Sequence, residues 1–92
     1  MKRMRGYELS ISAAEDGSVE ALYISVHRTK IVRTVELIPG KLLADYSQAG
    51  DLVGLEVIGP VKLSVLTKKV PLENREPIQA LLRNGAGPLI HA

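Results

Sequence analysis

The sequence contains no cysteine, no tryptophan and no phenylalanine. Without thiols there is no disulfide framework, no thiolate metal ligand and no thiol nucleophile. The only rings are Tyr7, Tyr23 and Tyr46, so a core drawn from a 46% hydrophobic composition has to be built from Val, Ile, Leu and Ala. Stacking platforms for single-stranded nucleic acid are equally scarce. No apolar run approaches the roughly 20 residues that a membrane helix needs, and no apolar stretch has the setting of a signal peptide, so a cytoplasmic protein with no membrane partner is the expectation. An excess of one charge is missing too. Twelve Lys+Arg against ten Asp+Glu leave a formal charge of +2, too even for attraction to nucleic acid by net charge alone.

What is present is a pattern of short strands in a chain of 92 residues, a length that makes one domain and buries roughly 60–65% of the unfolded surface. Tyr7, Leu9 and Ile11 alternate with polar residues, as a strand with one buried face does. Asp16-Gly17 turns the chain into Glu20–Val26, where Leu22, Ile24 and Val26 share a face. The stretch "HRTK" leads to Ile31–Leu37, Pro39-Gly40 leads to Leu42–Tyr46, and "SQAG" leads to Leu52–Ile58. Residues 19 to 40 therefore read as a hairpin with a basic turn. Centring the next turn on Pro39-Gly40 sets Val35 against Ala44 and Leu37 against Leu42. A four-residue turn at Ser47–Gly50 sets Ala44 against Val53 and Leu42 against Leu55. Both registers choose one inward face, which predicts a five-stranded antiparallel β-meander.

Beyond Gly59-Pro60 the period changes. Residues 61–70 fit a strand through Val61, Leu63 and Val65, or a short helix through Leu63, Leu66 and Val70, and the helix is preferred. Pro77, Ile78, Leu81, Leu82, Arg83 and Gly85 carry the signature of a helix that starts at the proline. The expected class is α+β: a β-core at 7–59, one face covered by C-terminal helix or helices at 60–84, and a flexible tail at 85–92 that can dock through Leu89 and Ile90.

The outward residues of this sheet are Tyr23, Ser25 and His27, then Thr34 and Glu36, Leu43 and Asp45, and Leu52, Gly54 and Glu56. Glu36, Asp45 and Glu56 could in principle share a proton or a hard cation. Their places on neighbouring strands give only diagonal contacts, which favours a solvated face over catalysis. His27 and His91 have no second ligand at useful spacing. No phosphate-cradling glycine loop and no nucleophile–base order is found. The expectation is thus a non-enzymatic protein with no cofactor and no metal. Gly54, in mid-strand beside Leu43, Leu52 and Tyr23, leaves room for a close approach. These four are the candidate partner-binding residues, for a protein partner or for self-association as a homodimer. Arg28, Lys30 and Arg33, with Lys2, Arg3 and Arg5, are the alternative, a weak and salt-sensitive nucleic-acid contact.

Residues 7 to 59 resemble the domain-of-unknown-function 2283 family of small prokaryotic proteins. The resemblance is carried by Glu20-Ala21-Leu22-Tyr23-Ile24, Arg33-Thr34-Val35-Glu36, Ala44-Asp45-Tyr46 and Gly50-Asp51-Leu52-Val53-Gly54-Leu55-Glu56-Val57. It implies a β-meander with helical cover and no established activity. Some members look like one half of a toxin–antitoxin-type pair, which implies a protein partner. The opening of strand one departs from the family pattern, and the chain from residue 60 is not covered.

Overall fold

The computed structural model of the chain describes residues 2–4, 7–85 and 89–91. Its elements in chain order are β1 (Lys2–Met4), β2 (Tyr7–Ala13), β3 (Val19–Ser25), β4 (Arg33–Ile38), β5 (Leu42–Tyr46), β6 (Leu52–Val57), β7 (Val61–Lys62), α1 (Leu63–Lys69), α2 (Leu72–Gly85) and β8 (Ile90–His91). The fold is α+β, with an antiparallel sheet followed by a pair of helices.

The strands are not in meander order. The sheet runs β1-β2-β3-β6-β5-β4, so β3 pairs with β6, and β4 lies at the far edge. Residues 19 to 40 are therefore not a hairpin. The segment between β3 and β4 crosses the end of the sheet, past β6 and β5, and the four strands form a Greek key. Two consecutive strands with matching apolar faces do not reveal whether they pair with each other, because β6 offers β3 the same aliphatic face. The ladder sets Ile24 against Leu55 and Leu22 against Val57, and all four are fully buried.

The β4–β5 register places Val35 against Ala44, as its short turn requires, but Ile38 takes the place beside Leu42 because the ladder slips at Leu37. Between β5 and β6 the registers differ more. Ala44 faces Leu55 and Leu42 faces Val57, two residues away from the expected partners. The physical reason is a pair of one-residue shifts. The loop spans residues 47 to 51, closed by Ser47 N donating to Asp51 O at 3.0 Å, with Gly50 at φ 89°, a left-handed conformation that glycine adopts freely. Tyr46 then faces Leu52, and a β-bulge at Val53 returns Gly54 to a place opposite Asp45. Leu52 thereby turns inward.

The inward faces of β2, β3, β5 and β6 form one aliphatic core with Leu63, Leu66, Val70, Ile78, Leu81 and Leu82 from the helices. The ambiguous stretch after Pro60 divides into two residues of strand followed by helix α1. Its last turn carries Lys68 and Lys69, which suit the helix dipole. Arg75 donates to the carbonyls of Val70 at 3.0 Å and Lys68 at 3.3 Å, satisfying acceptors that a helix end otherwise leaves open. Val70 is extended, as the residue before a proline tends to be.

Helix α2 starts at Leu72, not at Pro77, which lies inside it. Pro71 supplies the start: its carbonyl accepts from Asn74 N at 2.9 Å, and Glu73 sits in the first turn. Pro77 then forgoes one intrahelical bond, to Glu73. The early turn is anchored from outside by Asn74 Nδ2, which donates to Tyr7 Oη at 2.8 Å. Asn74 is only 7% exposed, and this bond ties α2 to β2. At the other end Ile90 pairs in parallel with Val61, and Leu89 and Ile90 pack on the core. Of the predicted tail, residues 86–88 and 92 lie outside the described residues.

Candidate functional site

The helices cover one face of the sheet, so the face opposite is defined by the strand registers alone. One row across it reads Ser10, Tyr23, Glu56, Leu43, Glu36, and the next reads Glu8, Ser25, Gly54, Asp45, Thr34. These two rows hold four carboxylates; the second continues past Glu8 to Arg3 on β1, and Arg28 reaches Glu8 from the crossing segment. Tyr23, Leu43, Asp45 and Glu56 are each half-buried by their neighbours, while Thr34 and Glu36 are exposed.

The centre of the face is held by hydrogen bonds across three strands. Tyr23 Oη donates to Asp45 Oδ2 at 2.7 Å, and Thr34 Oγ1 donates to Asp45 Oδ1 at 2.6 Å. To reach Asp45 from β3, the Tyr23 side chain lies flat over β6, directly above Gly54. This is the reason for a glycine in mid-strand. Any side chain at 54 would enter the space of the Tyr23 hydroxyl and ring, so the close approach inferred from the sequence is made by the protein's own tyrosine.

Burial, the bond to Asp45 and the negative charges of Asp45 and Glu56 all keep the Tyr23 phenol protonated well above its ordinary range near 10. The fold therefore favours the neutral phenol. A group whose folded pKa is raised contributes stability that is complete below its unfolded pKa and is lost as pH climbs toward the folded value. The stability difference between wild type and Tyr23→Phe is expected to stay constant below about pH 10 and to shrink above it. Urea titrations at stepped alkaline pH measure this, and a constant difference across that range would refute the proton linkage.

Of the four partner-binding residues expected from sequence, the structure keeps two on the surface. Tyr23 and Leu43 are neighbours across the face, both flanking Glu56. Leu52 is 2% exposed and belongs to the core, and Gly54 is buried beneath Tyr23. Both are corrections: the bulge at Val53 turns Leu52 inward, and the Tyr23 side chain covers Gly54.

The three carboxylates are not gathered into one centre. Glu36 Oε2 accepts from Gly40 N at 3.1 Å and supports its own turn, Asp45 clamps Tyr23 and Thr34, and Glu56 stands between Tyr23 and Leu43. Among the described residues no three His, Asp or Glu side chains come together as metal ligands, and no helix is long and apolar enough to cross a membrane.

The basic residues lie at one end of the sheet. The crossing segment is pinned at both ends: Val26 N and His27 N donate to Val53 O at 2.7 and 3.2 Å, and Val32 N donates to Tyr46 O at 2.9 Å. Arg28 reaches Glu8 at 3.5 Å while its side chain stays 86% exposed. Arg33 lies over the Tyr46 ring, 5.1 Å from its centroid, a cation–π contact. Lys30 is exposed, and Ile31 and Val32 are 45% and 49% exposed. Arg28 and Lys30 thus lie on the crossing loop, whereas Arg33 opens β4 and is drawn to Tyr46. Arg5 lies outside the described residues, as do the side chains of Lys2 and Arg3. Between this loop and the β5–β6 turn is an open depression of about 510 Å³ lined by His27, Arg28, Thr29, Ser47, Gln48, Ala49 and Asp51.

Comparison of the chain with protein-family models, with curated proteins and with solved structures finds no match.

Proposed function

We propose that this protein is a protein-interaction module whose docking surface is the helix-free face of the sheet, centred on Tyr23 and Leu43. The supporting observation is the composition of that face. Two half-buried apolar side chains flank Glu56, with Asp45 and Glu36 nearby, while the cations that meet these rows, Arg3 and Arg28, do so at Glu8 on the far side of β3. A solvated face could take any mixture of charges. One whose apolar centre is bordered by carboxylates complements a partner of aliphatic and cationic character.

The function requires no chemistry from the chain. Asp45 is spent on fixing Tyr23 and Thr34, and the fixed tyrosine gives a rigid ring for contact, as interfaces favour. The experiment is capture from the native host with three immobilised forms: wild type, Leu43→Arg on the open face, and Val65→Arg on the helical side. A partner held through the face is retained by wild type and Val65→Arg and weakened roughly tenfold or more by Leu43→Arg. Retention that ignores Leu43 would overturn the assignment. Recovery of nucleic acid that is lost at high salt would instead give the function to the crossing loop.

A further inference from the structure

The molecule carries its own complement to the open face. Where it joins β4 the crossing loop presents two exposed β-branched residues, Ile31 and Val32, and it carries the exposed side chains of Lys30 and of Arg28, the latter paired with Glu8. The open face presents Tyr23 and Leu43 beside Glu36, Asp45 and Glu56. Apolar area and opposite charge are thus matched, yet the loop stands at the end of the sheet and its ends are pinned to Val53 and Tyr46. Its contact with its own face is Arg28 to Glu8 at 3.5 Å, at the margin of the second row, an exposed pair that is readily exchanged for another.

We infer that the occupant of the open face is the crossing loop of a second copy of this chain. This rests on the reading of that face as a docking surface and names its partner. Two faces meeting about a two-fold axis would bring the acidic centre of each copy against that of the other, with Glu56 near its own counterpart. Like charges so placed are disfavoured. A loop-to-face contact instead puts Arg28 and Lys30 against the carboxylates and Ile31 and Val32 against Tyr23 and Leu43. Such a contact uses two different patches and is heterologous. Copies therefore add head to tail, into a ring or an open chain.

The test is sedimentation velocity over a range of concentrations with two variants, each damaged at one patch. Leu43→Arg spoils the face and keeps the loop. Lys30→Ser with Ile31→Ser spoils the loop and keeps the face. Wild type is expected to grow beyond the monomer as concentration rises, and less so at high salt. Each variant alone stays monomeric, and an equimolar mixture of the two gives a heterodimer and nothing larger, because one working loop and one working face remain. Glu56→Gln, which removes a charge and little volume, weakens wild-type assembly without abolishing it, and this checks that the loss in Leu43→Arg is not a folding defect.

A monomeric wild type at every concentration would overturn self-docking. If that monomer still captured another protein through Leu43, the face would belong to that protein and the docking reading would stand. Assembly lost in Val65→Arg but kept in Leu43→Arg would overturn both.

Discussion

Leu52→Ala is expected to lower the unfolding free energy by about 2–5 kcal/mol, the range for truncating a leucine in a packed core. In a chain of this length each kcal/mol moves the midpoint of thermal unfolding by roughly 4–8 °C, so the loss is visible in a single melt. The size of the effect decides between two registers. With a four-residue turn and no bulge, Leu52 would project from the open face, and its truncation would change stability by roughly 0.5 kcal/mol or less. The loop of residues 47 to 51 sets it opposite Tyr46, where it is 2% exposed among core residues. A chemical-denaturation midpoint indistinguishable from wild type would show that the bulge at Val53 is not where the structure places it.

The second large effect falls on Gly54. A methyl group there would meet the Tyr23 hydroxyl and ring, and the tyrosine cannot yield freely because it is tied to Asp45. Gly54→Ala should therefore cost about 1–3 kcal/mol, as overpacking does. The cost arises through one partner, so removing that partner should relieve it. In a double-mutant cycle with Tyr23→Ala, the two losses are expected to be less than additive by at least about 0.5 kcal/mol. Additive losses would mean that the glycine answers to something other than the tyrosine. The same variant bears on function. With Tyr23 displaced, the open face loses its fixed ring, and association through that face should weaken even where the fold survives.

The strands were legible because alternation is a local signal. Leu9, Leu22, Ile24, Leu42, Ala44 and Leu55 all point inward as their spacing requires, and the turn at Pro39-Gly40 sets Val35 against Ala44 correctly. What escaped was non-local or one residue in size. The pairing of β3 with β6 depends on which of several aliphatic strands wins the central place, and neighbouring residues carry no record of that choice. The bulge at Val53 has no composition of its own, so Leu52 was placed on the wrong side. Helix α2 starts after Pro71 and not at Pro77, and neighbouring residues do not show this because the contact that anchors its first turn, Asn74 to Tyr7, joins distant parts of the chain.

The candidate site was legible in part. Tyr23, Leu43, Glu36, Asp45 and Glu56 are on one face, as period-two spacing implies. The role of Gly54 was open to inference only as a space, and the sequence does not say that Tyr23 fills it. The apolar half of the loop was missed because Ile31 and Val32 read as the start of a strand, whereas β4 begins at Arg33 and leaves them exposed.

The most direct measurement of the open face as the working surface is a concentration series of backbone amide shifts on isotopically labelled wild-type protein. As concentration rises, the expected result is movement confined to the two central rows, Tyr23, Leu43, Gly54 and Glu56 among them, and to Arg28–Val32, while α1 and α2 stay still. Shifts centred on the helices, or no shifts while the protein is shown to assemble, would contradict it.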